Sequence, residues 1–237
     1  MGSIITSFAL PKTKVTYNRD LPYLTFVKAS YGNIPVVHYH RDDYLPTLLM
    51  AHSNGEDIGQ FNVKKLSHQF NANIVVFDYC GYGLNTCKEA SEDHCYHDIE
   101  HVYIYLIRCG ILAENIILYG RSIGTGVASH MARLLCKHKI PTKLILVSPF
   151  KSVIRVMINL PYCPGDLFNI EKMAPNITCP VLIIHGCQDK LTDYRQSVAL
   201  SALFPCLTQF VTIHGCGHHE LTKREEYIDA IHSFVTD

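Results

Sequence analysis

The sequence predicts an α/β domain built on a mostly parallel sheet with helices on both faces. Short runs that are apolar throughout, rather than alternating, suit parallel strands that are buried on both sides. These runs alternate with longer helix-like segments, which is typical of this class. No internal repeat, low-complexity tract or linker divides the chain. We therefore expect an irregular surface lead-in over residues 1–20 and a single domain over residues 21–237.

The predicted sheet opens with an antiparallel hairpin and continues with six apolar strands. The hairpin places a Ser-Tyr-Gly-Asn turn between residues 24–28 and 34–39. The further strands are expected at residues 47–51, 74–77, 116–119, 144–147, 181–184 and 210–213. The helices are expected near residues 57–70, 93–109, 123–138, 194–203 and 221–235. Asp57, with Gln60 three residues later, has the pattern of a reciprocal N-cap for the first of them.

Composition excludes several classes of function. The chain is 48% hydrophobic and 18% charged, values typical of a protein that buries a large core. Its 21 basic and 21 acidic residues cancel, so no global field attracts nucleic acid. No apolar stretch reaches the roughly 20 residues that span a bilayer. The amino terminus lacks a signal-peptide pattern, so we expect a cytoplasmic protein whose ten cysteines are reduced.

Residues 120–124 match the Gly-x-Ser-x-Gly pattern of a nucleophile elbow, with Ser122 at its centre. An apolar predicted strand runs directly into the motif, and a helix that opens with small residues follows it. A serine on such a tight turn needs glycines two residues away on either side to avoid a clash. A glycine-rich turn with an idle serine is the alternative. The strand–turn–helix context favours a nucleophile in the α/β-hydrolase fold.

In this fold the acid and the histidine follow the serine in that order along the chain. Asp189 comes just after the predicted strand 181–184 and is our candidate acid, with Asp193 as its competitor. The loop after strand 210–213 contains three histidines, of which His218 is the candidate base and His219 the runner-up. The third, His214, is expected to be a strand-end residue. A zinc site built from this loop is disfavoured because no second ligand pair is obvious, and no cofactor or metal is expected.

Two backbone N–H groups are expected to bind a developing oxyanion. One belongs to Ile123, the residue after the candidate nucleophile, and the other to Asn54 or its neighbour in the loop after strand 47–51. The helix that starts after the elbow adds a positive dipole end. The alternative for the second loop is a simple Asn-Gly turn.

Six motifs resemble, in order, those of the alpha/beta hydrolase domain-containing protein 17 family, the protein depalmitoylases and their Bem-forty-six-like relatives. Residues 52–59 are similar to its H-G-N-A-x-D-x-G segment, residues 77–83 to its D-Y-x-G-Y-G loop, and residues 118–125 to its L-Y-G-x-S-I-G-T elbow. The other three matches are Phe168–Lys172, Pro180–Gly186 with Asp189, and Gly215–His218. The resemblance covers roughly residues 20–235 and implies a triad of Ser122, Asp189 and His218.

Two features depart from the family pattern. Ser53 stands where the family usually has glycine, so the oxyanion loop is expected to be stiffer or differently shaped. The depalmitoylases also resemble one another in a cysteine-rich, acylated amino terminus, whereas the first cysteine here is Cys80. The resemblance therefore implies the catalytic core more directly than it implies that route of membrane recruitment.

Residues 148–180 are expected to form a short cap between strands 6 and 7 rather than a large lid. Its apolar side chains are expected to line an acyl-chain groove, with completion of the core as the alternative: Met157, Ile158, Leu160, Leu167 and Phe168.

The sequence thus predicts a serine hydrolase that cleaves acyl thioesters or esters through an acyl-enzyme. The resemblance implies a palmitoyl-protein thioesterase, whose substrate partner is an acylated protein. A small-molecule or lipid carboxylesterase is the first alternative, and a non-catalytic binding module with this fold is the second. Residues 1–6 also fit an N-myristoylation pattern at Gly2, which would give weak, reversible contact with the cytosolic face of membranes.

Overall fold

A computed structural model describes residues 6, 9–11, 14–157 and 165–237. Its described strands are β1 Leu24–Ala29, β2 Gly32–Tyr39, β3 Thr47–Ala51, β4 Asn73–Phe77, β5 Ile116–Arg121, β6 Lys143–Val147, β7 Val181–Gly186 and β8 Leu207–Ile213. Its α-helices in the same part are α1 Val63–Phe70, α2 Glu92–Arg108, α3 Ile123–Lys137, α4 Val153–Met157, α5 Ile170–Met173, α6 Tyr194–Ser201 and α7 Glu225–Thr236. Short 3-10 turns cover Ile58–Gln60, Ala113–Asn115, Ala174–Asn176 and Leu221–Lys223.

The strands form one sheet in the order β1-β2-β4-β3-β5-β6-β7-β8. β1 and β2 form the predicted antiparallel hairpin, and β2 also pairs antiparallel with β4. Every later pairing, from β4–β3 through β7–β8, is parallel. All residues of β3, β4 and β7 are buried, which explains why these strands are mostly apolar instead of alternating. The mostly parallel sheet is therefore confirmed.

Helices cover both faces of the sheet, and each face has its own hydrophobic cluster. On one face α2 and α3 contribute buried side chains such as Ile99 and Val127. On the other face α1 and α7 contribute Phe70 and Ile231. Burying apolar surface on both sides holds the sheet between two helical layers. The site residues discussed below lie where the parallel strands end, at the carboxyl edge of this sheet.

Two predicted helices are interrupted. The segment predicted at 57–70 begins as a 3-10 turn after Asp57, whose side chain accepts from the Gly59 N–H. It then restarts as α1, because Asn62 caps the second start by accepting from the Lys65 N–H. The segment predicted at 221–235 breaks at Arg224, whose backbone is extended, before α7 begins. Side-chain caps therefore set the two starts in the first segment, whereas an extended residue without a side-chain cap interrupts the second.

Over residues 14–20 the lead-in has no helix or strand and is mostly exposed, but several of its described residues are held against the rest of the chain. The Leu10 N–H donates to the Thr6 carbonyl at 2.7 Å, one helical turn away, and Leu10 is buried in the core. Further along, the Thr16 N–H donates to Asp57 at 2.6 Å, and the Tyr17 hydroxyl donates to Asp78 at 2.5 Å. Side chains far along the chain therefore hold this segment, which a local pattern does not reveal.

The cap between β6 and β7 contains α4, α5 and the Ala174–Asn176 turn. The predicted groove residues Ile158 and Leu160 lie outside the described residues, as does Gly2. Among the described helices, none combines the length and the apolar character needed to cross a bilayer.

The expectation that all cysteines are reduced is wrong for one pair. Cys80 and Cys87 form a disulfide, with their Cα atoms 5.0 Å apart. Both lie in the loop between β4 and α2, which turns back on itself and brings the two side chains together. Seven described cysteines are free, and four of these are partly or fully exposed, including Cys109 and Cys206.

Asp98 on α2 is fully buried beneath this loop. Its carboxylate accepts from the Tyr31 hydroxyl at 3.0 Å and from the Cys80 N–H at 2.7 Å. Burial raises the pKa of Asp98 from 3.8 to about 7, and the hydrogen bonds from Cys80 and Tyr31 only partly oppose it. The carboxyl group therefore keeps its proton in the folded state at pH values where the unfolded chain has lost it.

We expect the free energy of unfolding to fall between pH 4 and pH 7 because of Asp98. A folded-state pKa above the unfolded value gives stability that is complete below the unfolded pKa and is lost as the pH rises through the folded one. Relative to an Asp98→Asn variant, the wild type should lose up to about 4 kcal/mol across this window. Urea unfolding of both proteins at several pH values measures the difference. Parallel pH profiles would contradict it.

Candidate active site

The turn between β5 and α3 holds Ser122 in a strained backbone conformation, with φ 51° and ψ −120°. The Ser122 N–H donates to the Val147 carbonyl on the neighbouring strand at 2.9 Å. A Cβ atom at Gly120 would lie 2.3 Å from the Gly124 carbonyl oxygen, and one at Gly124 would lie 2.1 Å from the Ala51 carbonyl oxygen. Glycine is therefore required on both sides of Ser122, as the elbow motif predicts.

Asp189 and His218 meet at the carboxyl ends of β7 and β8. The His218 Nδ1 atom lies 2.6 Å from Asp189 Oδ2, in a buried pair. The other oxygen of Asp189 accepts from the Leu191 and Thr192 N–H groups at 2.9 and 2.8 Å. Because a carboxylate only accepts, His218 carries its hydrogen on Nδ1 and leaves Nε2 free to accept a proton.

The competing residues have other partners. Asp193 caps α6 by accepting from the Arg195 N–H and also pairs with the exposed Arg195 side chain. His219 is exposed and packs its ring edge against His218, 5.4 Å between centroids. His214 is exposed as well, 3.9 Å from the Cys187 sulfur. Among the residues that the structure describes, Asp193, His214 and His219 belong to no cluster of potential metal ligands.

A second histidine also contacts the Asp189 carboxylate. His185 is completely buried at the end of β7, with Nε2 3.2 Å from Asp189 Oδ2 and 3.0 Å from the Thr192 carbonyl oxygen. Both neighbours are acceptors, so this nitrogen carries a hydrogen. Burial raises the pKa of Asp189, but the hydrogen bonds from His185 and His218 lower it by more, to well below its usual range. Asp189 is therefore held ionised.

The loop after β3 lies next to the elbow, with Asn54 and Ile123 as the predicted oxyanion residues. Ile123 is the first residue of α3, so its N–H belongs to the turn whose donors lack partners within the helix. The Asn54 side chain accepts from the Tyr82 hydroxyl at 3.0 Å, and the His52 carbonyl accepts from the Tyr79 hydroxyl at 2.7 Å. Two buried tyrosines of the loop after β4 thus fix this segment.

Below this segment His52 is buried 3.4 Å from an Asp78 oxygen, a distance at which the charges interact without a well-aligned hydrogen bond. Burial lowers the pKa of His52, but the Asp78 carboxylate, the Ser53 carbonyl and the Glu56 carboxylate together raise it by more. The same carboxylate accepts from the Ile58 N–H at 2.9 Å and from Tyr17. Asp78 therefore ties the lead-in, the loop after β3 and the end of β4 together.

Glu56 and Arg121 connect three loops at the site. Their side chains form an ion pair at 2.5 Å, 24% and 12% exposed, so solvent screens it only in part. Glu56 also accepts from the Ser53 N–H at 2.9 Å, and Arg121 donates to the His218 carbonyl at 3.3 Å. The loop after β3, the elbow and the histidine loop are thereby joined by two side chains.

The predicted groove residues divide into two groups. Met157 and Leu167 are partly buried and pack against the core from the cap side. Phe168 is fully buried: its ring lies against Gly126 and meets Tyr96 edge-on with 5.7 Å between centroids. The structure therefore gives Phe168 the role in the core that the sequence left as the alternative.

Sequence reasoning missed His185, Glu56 and Arg121. Their residue types offered only weak signals. Histidine is uncommon at the end of an apolar strand, and Glu and Arg are rarely buried unless they are paired. Arg121, however, contacts Glu56 and His218, which lie 65 and 97 residues away along the chain, and His185 is buried only because distant elements pack around it. Only the fold brings them together.

No protein-family model matches the chain. Over 198 residues the chain is 35% identical to alpha/beta hydrolase domain-containing protein 17C of Xenopus laevis, covering 80% of this chain and 61% of that protein. The human 17B protein is 35% identical over 196 residues. Over this shared region, the chain belongs to the alpha/beta hydrolase domain-containing protein 17 family.

The resemblance drawn from the motifs is thereby confirmed. Another relative, alpha/beta hydrolase domain-containing protein aho-3 of Caenorhabditis elegans, is 33% identical over 195 residues. The match covers 57% of that protein. The chain spans about three fifths of the length of the curated relatives it matches.

Solved structures share the fold. Est1E from Butyrivibrio proteoclasticus, with ferulic acid bound, superimposes with a TM-score of 0.74 at 20% identity over 90% of this chain and 98% of that one. An alpha-beta serine hydrolase homologue from Coxiella burnetii gives a TM-score of 0.69 at 17% identity, over 92% and 100%. The α/β-hydrolase fold predicted from the sequence is confirmed.

The elbow gives a direct test of its packing. We expect Gly124→Ala to lower the free energy of unfolding by about 3 kcal/mol or more, because the new methyl group meets the backbone of Ala51 rather than a movable side chain. Gly110→Ala is the matched control: its methyl group meets no atom within 4 Å, and only its φ of +88° opposes it. That control should lose about 1 kcal/mol. Equal losses in urea unfolding would contradict the close approach.

Proposed function

We propose that this α/β hydrolase is a serine hydrolase that cleaves acyl thioesters or esters through an acyl-enzyme on Ser122. The observation that carries the proposal is the 2.6 Å contact between His218 Nδ1 and the ionised Asp189. It is supported by the φ of 51° at Ser122 in the elbow. A non-catalytic module would have no need to keep this strained turn together with a buried carboxylate–histidine pair.

In the proposed reaction, Ser122 Oγ attacks the acyl carbonyl while His218 Nε2 takes its proton. Asp189 keeps the hydrogen on Nδ1 and stabilises the imidazolium that forms. His218 then gives the proton to the leaving thiol or alcohol, and the acyl group stays on Ser122. His218 then takes a proton from water as it attacks the acyl-enzyme, and returns that proton to Ser122 Oγ as the acyl–oxygen bond breaks and the acid leaves.

Negative charge develops on the carbonyl oxygen in both steps. The Ile123 N–H at the start of α3 and the backbone N–H of Asn54 or its neighbour are the proposed donors, supported by the helix dipole. Their spacing depends on the loop that Tyr79 and Tyr82 hold from behind. Because such donors act only when they are preorganised, these two tyrosines support the proposed chemistry without touching the substrate.

The proposed substrate is a long acyl chain in thioester linkage to a protein, of the palmitoyl type. The family resemblance suggests it, and the short cap is compatible with a substrate whose bulky carrier stays outside. Met157 and Leu167 are the described residues proposed to contact the acyl chain, together with Ile158 and Leu160, which lie outside the described residues. A small-molecule or lipid carboxylesterase is the alternative that the experiments below distinguish.

We also propose that the protein acts in the cytoplasm, at the cytosolic face of membranes where lipidated proteins lie. A myristoyl group on Gly2 would supply the weak attachment, since a single such chain holds a membrane only marginally. Neither nucleic acid nor a cofactor has a part in this proposal.

We expect Ser122→Ala to abolish both hydrolysis and labelling by a fluorophosphonate probe, because it removes the attacking oxygen. Asp189→Asn and His218→Ala should each lower kcat by about 10³-fold or more, since triad members act as a unit. Asp193→Asn and His219→Ala are matched controls from the same two loops and should stay within a few-fold of wild type.

Circular dichroism is used to check that each of these variants is folded before the rates are compared. Near-wild-type turnover by folded Ser122→Ala would remove the serine mechanism. A larger loss of kcat in Asp193→Asn than in Asp189→Asn would show that Asp193, and not Asp189, is the acid of the triad.

We expect kcat/KM to rise with acyl-chain length across a series of p-nitrophenyl esters, and the enzyme to release palmitate from an S-palmitoylated peptide. Each buried methylene contributes about 0.8 kcal/mol, so eight more could add up to roughly 6 kcal/mol. Partial exposure and the cost of ordering the chain reduce that gain. A sharp optimum at short acetyl- or butyryl-type chains, with no release from the peptide, would instead favour the small carboxylesterase.

A further inference from the structure

The loop between β4 and α2 brings two cysteines and a histidine together, away from Ser122. Cys80, Cys87 and His94 are spaced seven residues apart along the chain, and their potential ligand atoms all lie within 4.8 Å of one another. Both cysteines are buried and His94 is half-buried, in the first turn of α2. The proposed reaction uses none of them.

A fourth donor lies among them. The Glu89 carbonyl oxygen is 3.0 Å from the Cys80 sulfur, 3.8 Å from the Cys87 sulfur and 2.8 Å from His94 Nδ1. Two sulfurs, one imidazole nitrogen and one oxygen therefore surround one small volume. Sulfur and imidazole donors in a set of four are those that a zinc-class cation prefers.

Contacts other than the sulfur–sulfur bond hold this arrangement. The Cys80 N–H donates to Asp98 at 2.7 Å, and the Cys87 N–H donates to the Asn85 side chain at 3.0 Å. Asn85 is itself fixed by its bond to the Asp78 carbonyl at 3.0 Å. The backbone positions of both cysteines are thus set by hydrogen bonds that reduction leaves in place. Preorganised ligands lower the cost of binding a metal ion.

We propose that Cys80, Cys87 and His94 form a binding site for one thiophilic divalent cation of the zinc class once the Cys80–Cys87 disulfide is reduced. The Glu89 carbonyl or a water molecule completes the coordination. A dithiol reductant supplies two electrons and two protons, so the sulfur–sulfur bond breaks, both cysteines become thiols and the reductant becomes a disulfide. The cation then displaces the two thiol protons to solvent.

The oxidised and the metal-bound form are alternative closures of one loop. Cytosolic reductants keep thiols reduced, whereas oxidising surroundings preserve the disulfide. Either form would hold Cys80 between Tyr79 and Tyr82, whose hydroxyls donate to the His52 carbonyl and to Asn54. If the proposed function holds, the reduced metal-free protein should be the form whose oxyanion loop is least well held. The binding of the cation does not depend on that function.

The test uses the full chain. It is reduced with a dithiol, and anaerobic gel filtration then removes the dithiol. Zinc is added, and native mass spectrometry with elemental analysis counts the metal ions bound per chain. Reduced wild type should bind one more zinc ion than a reduced Cys80→Ser/Cys87→Ser variant. Cys109→Ser/Cys206→Ser, which removes two exposed thiols elsewhere, is the control and should bind as wild type does.

Cobalt then reports the ligands directly. Reduced wild type should show thiolate-to-cobalt charge-transfer absorption and the visible bands of tetrahedral coordination, and the Cys80→Ser/Cys87→Ser variant should lack this component. His94→Gln should weaken binding by about 10-fold or more and shift the visible bands. His97→Gln, an exposed histidine one turn further along α2, should do neither.

Two results would overturn the proposal. One is a reduced wild type that binds no more zinc than the Cys80→Ser/Cys87→Ser variant. The other is a cobalt spectrum and a cobalt affinity that are the same for wild type and His94→Gln. This second result decides the question if the Cys80→Ser/Cys87→Ser variant does not fold. Either would leave the pair as a disulfide only. Neither result would bear on hydrolysis, which Ser122→Ala tests separately.

Discussion

The close approach between the elbow and the end of β3 is the constraint on which the rest of the site depends. Gly124 packs against the Ala51 carbonyl, where a Cβ atom would lie 2.1 Å from that oxygen. This contact sets α3 directly behind the loop that follows β3. The start of the helix therefore lies against the backbone of Ala51 and His52, directly after Ser122 in the chain. A larger residue at Gly124 would push the elbow away from the end of β3, and one at Gly120 would clash with the first turn of α3 itself.

The ion pair between Glu56 and Arg121 also positions the loops around the site. The Glu56–Arg121 pair joins the Ser53 N–H to the His218 carbonyl, so the relative positions of three loops depend on one largely buried ion pair. Both residues occupy the variable positions of the family motifs at 52–59 and 118–125. A buried pair of this kind is weak evidence for stability, because desolvation offsets much of its attraction. Its geometry instead favours a positioning role, in which the pair fixes the loop register around His218.

The sequence predicted the parts of the fold that local patterns determine. Fully apolar runs predicted the buried strands, and the glycines around Ser122 predicted the elbow. The choice of Asp189 over Asp193 rested on distance from a strand end, and the structure adds the reason in its contact with His218. Residues whose role depends on distant partners could not be predicted. His185 binds Asp189 and Thr192 within one loop, yet its burial follows from how α6 packs over β7. The Cys80–Cys87 bond likewise depends on a loop shape that no periodicity encodes.

The first turn of α2 connects the cap to the cysteine loop, a link that neither motif suggested. Glu92 accepts from the Phe168 N–H at 2.6 Å and from the Tyr96 hydroxyl at 2.6 Å, which fixes the backbone at Phe168 despite its φ of 50°. His94, two residues further on, contacts the Glu89 carbonyl beside both cysteines. Because Phe168 is anchored in the core, cap residues near it have little freedom to move independently of α2. A change at the cysteines that shifted this turn would therefore reach the cap as well as the loop of Asn54, the two parts of the chain to which the proposed function assigns contact with the acyl group.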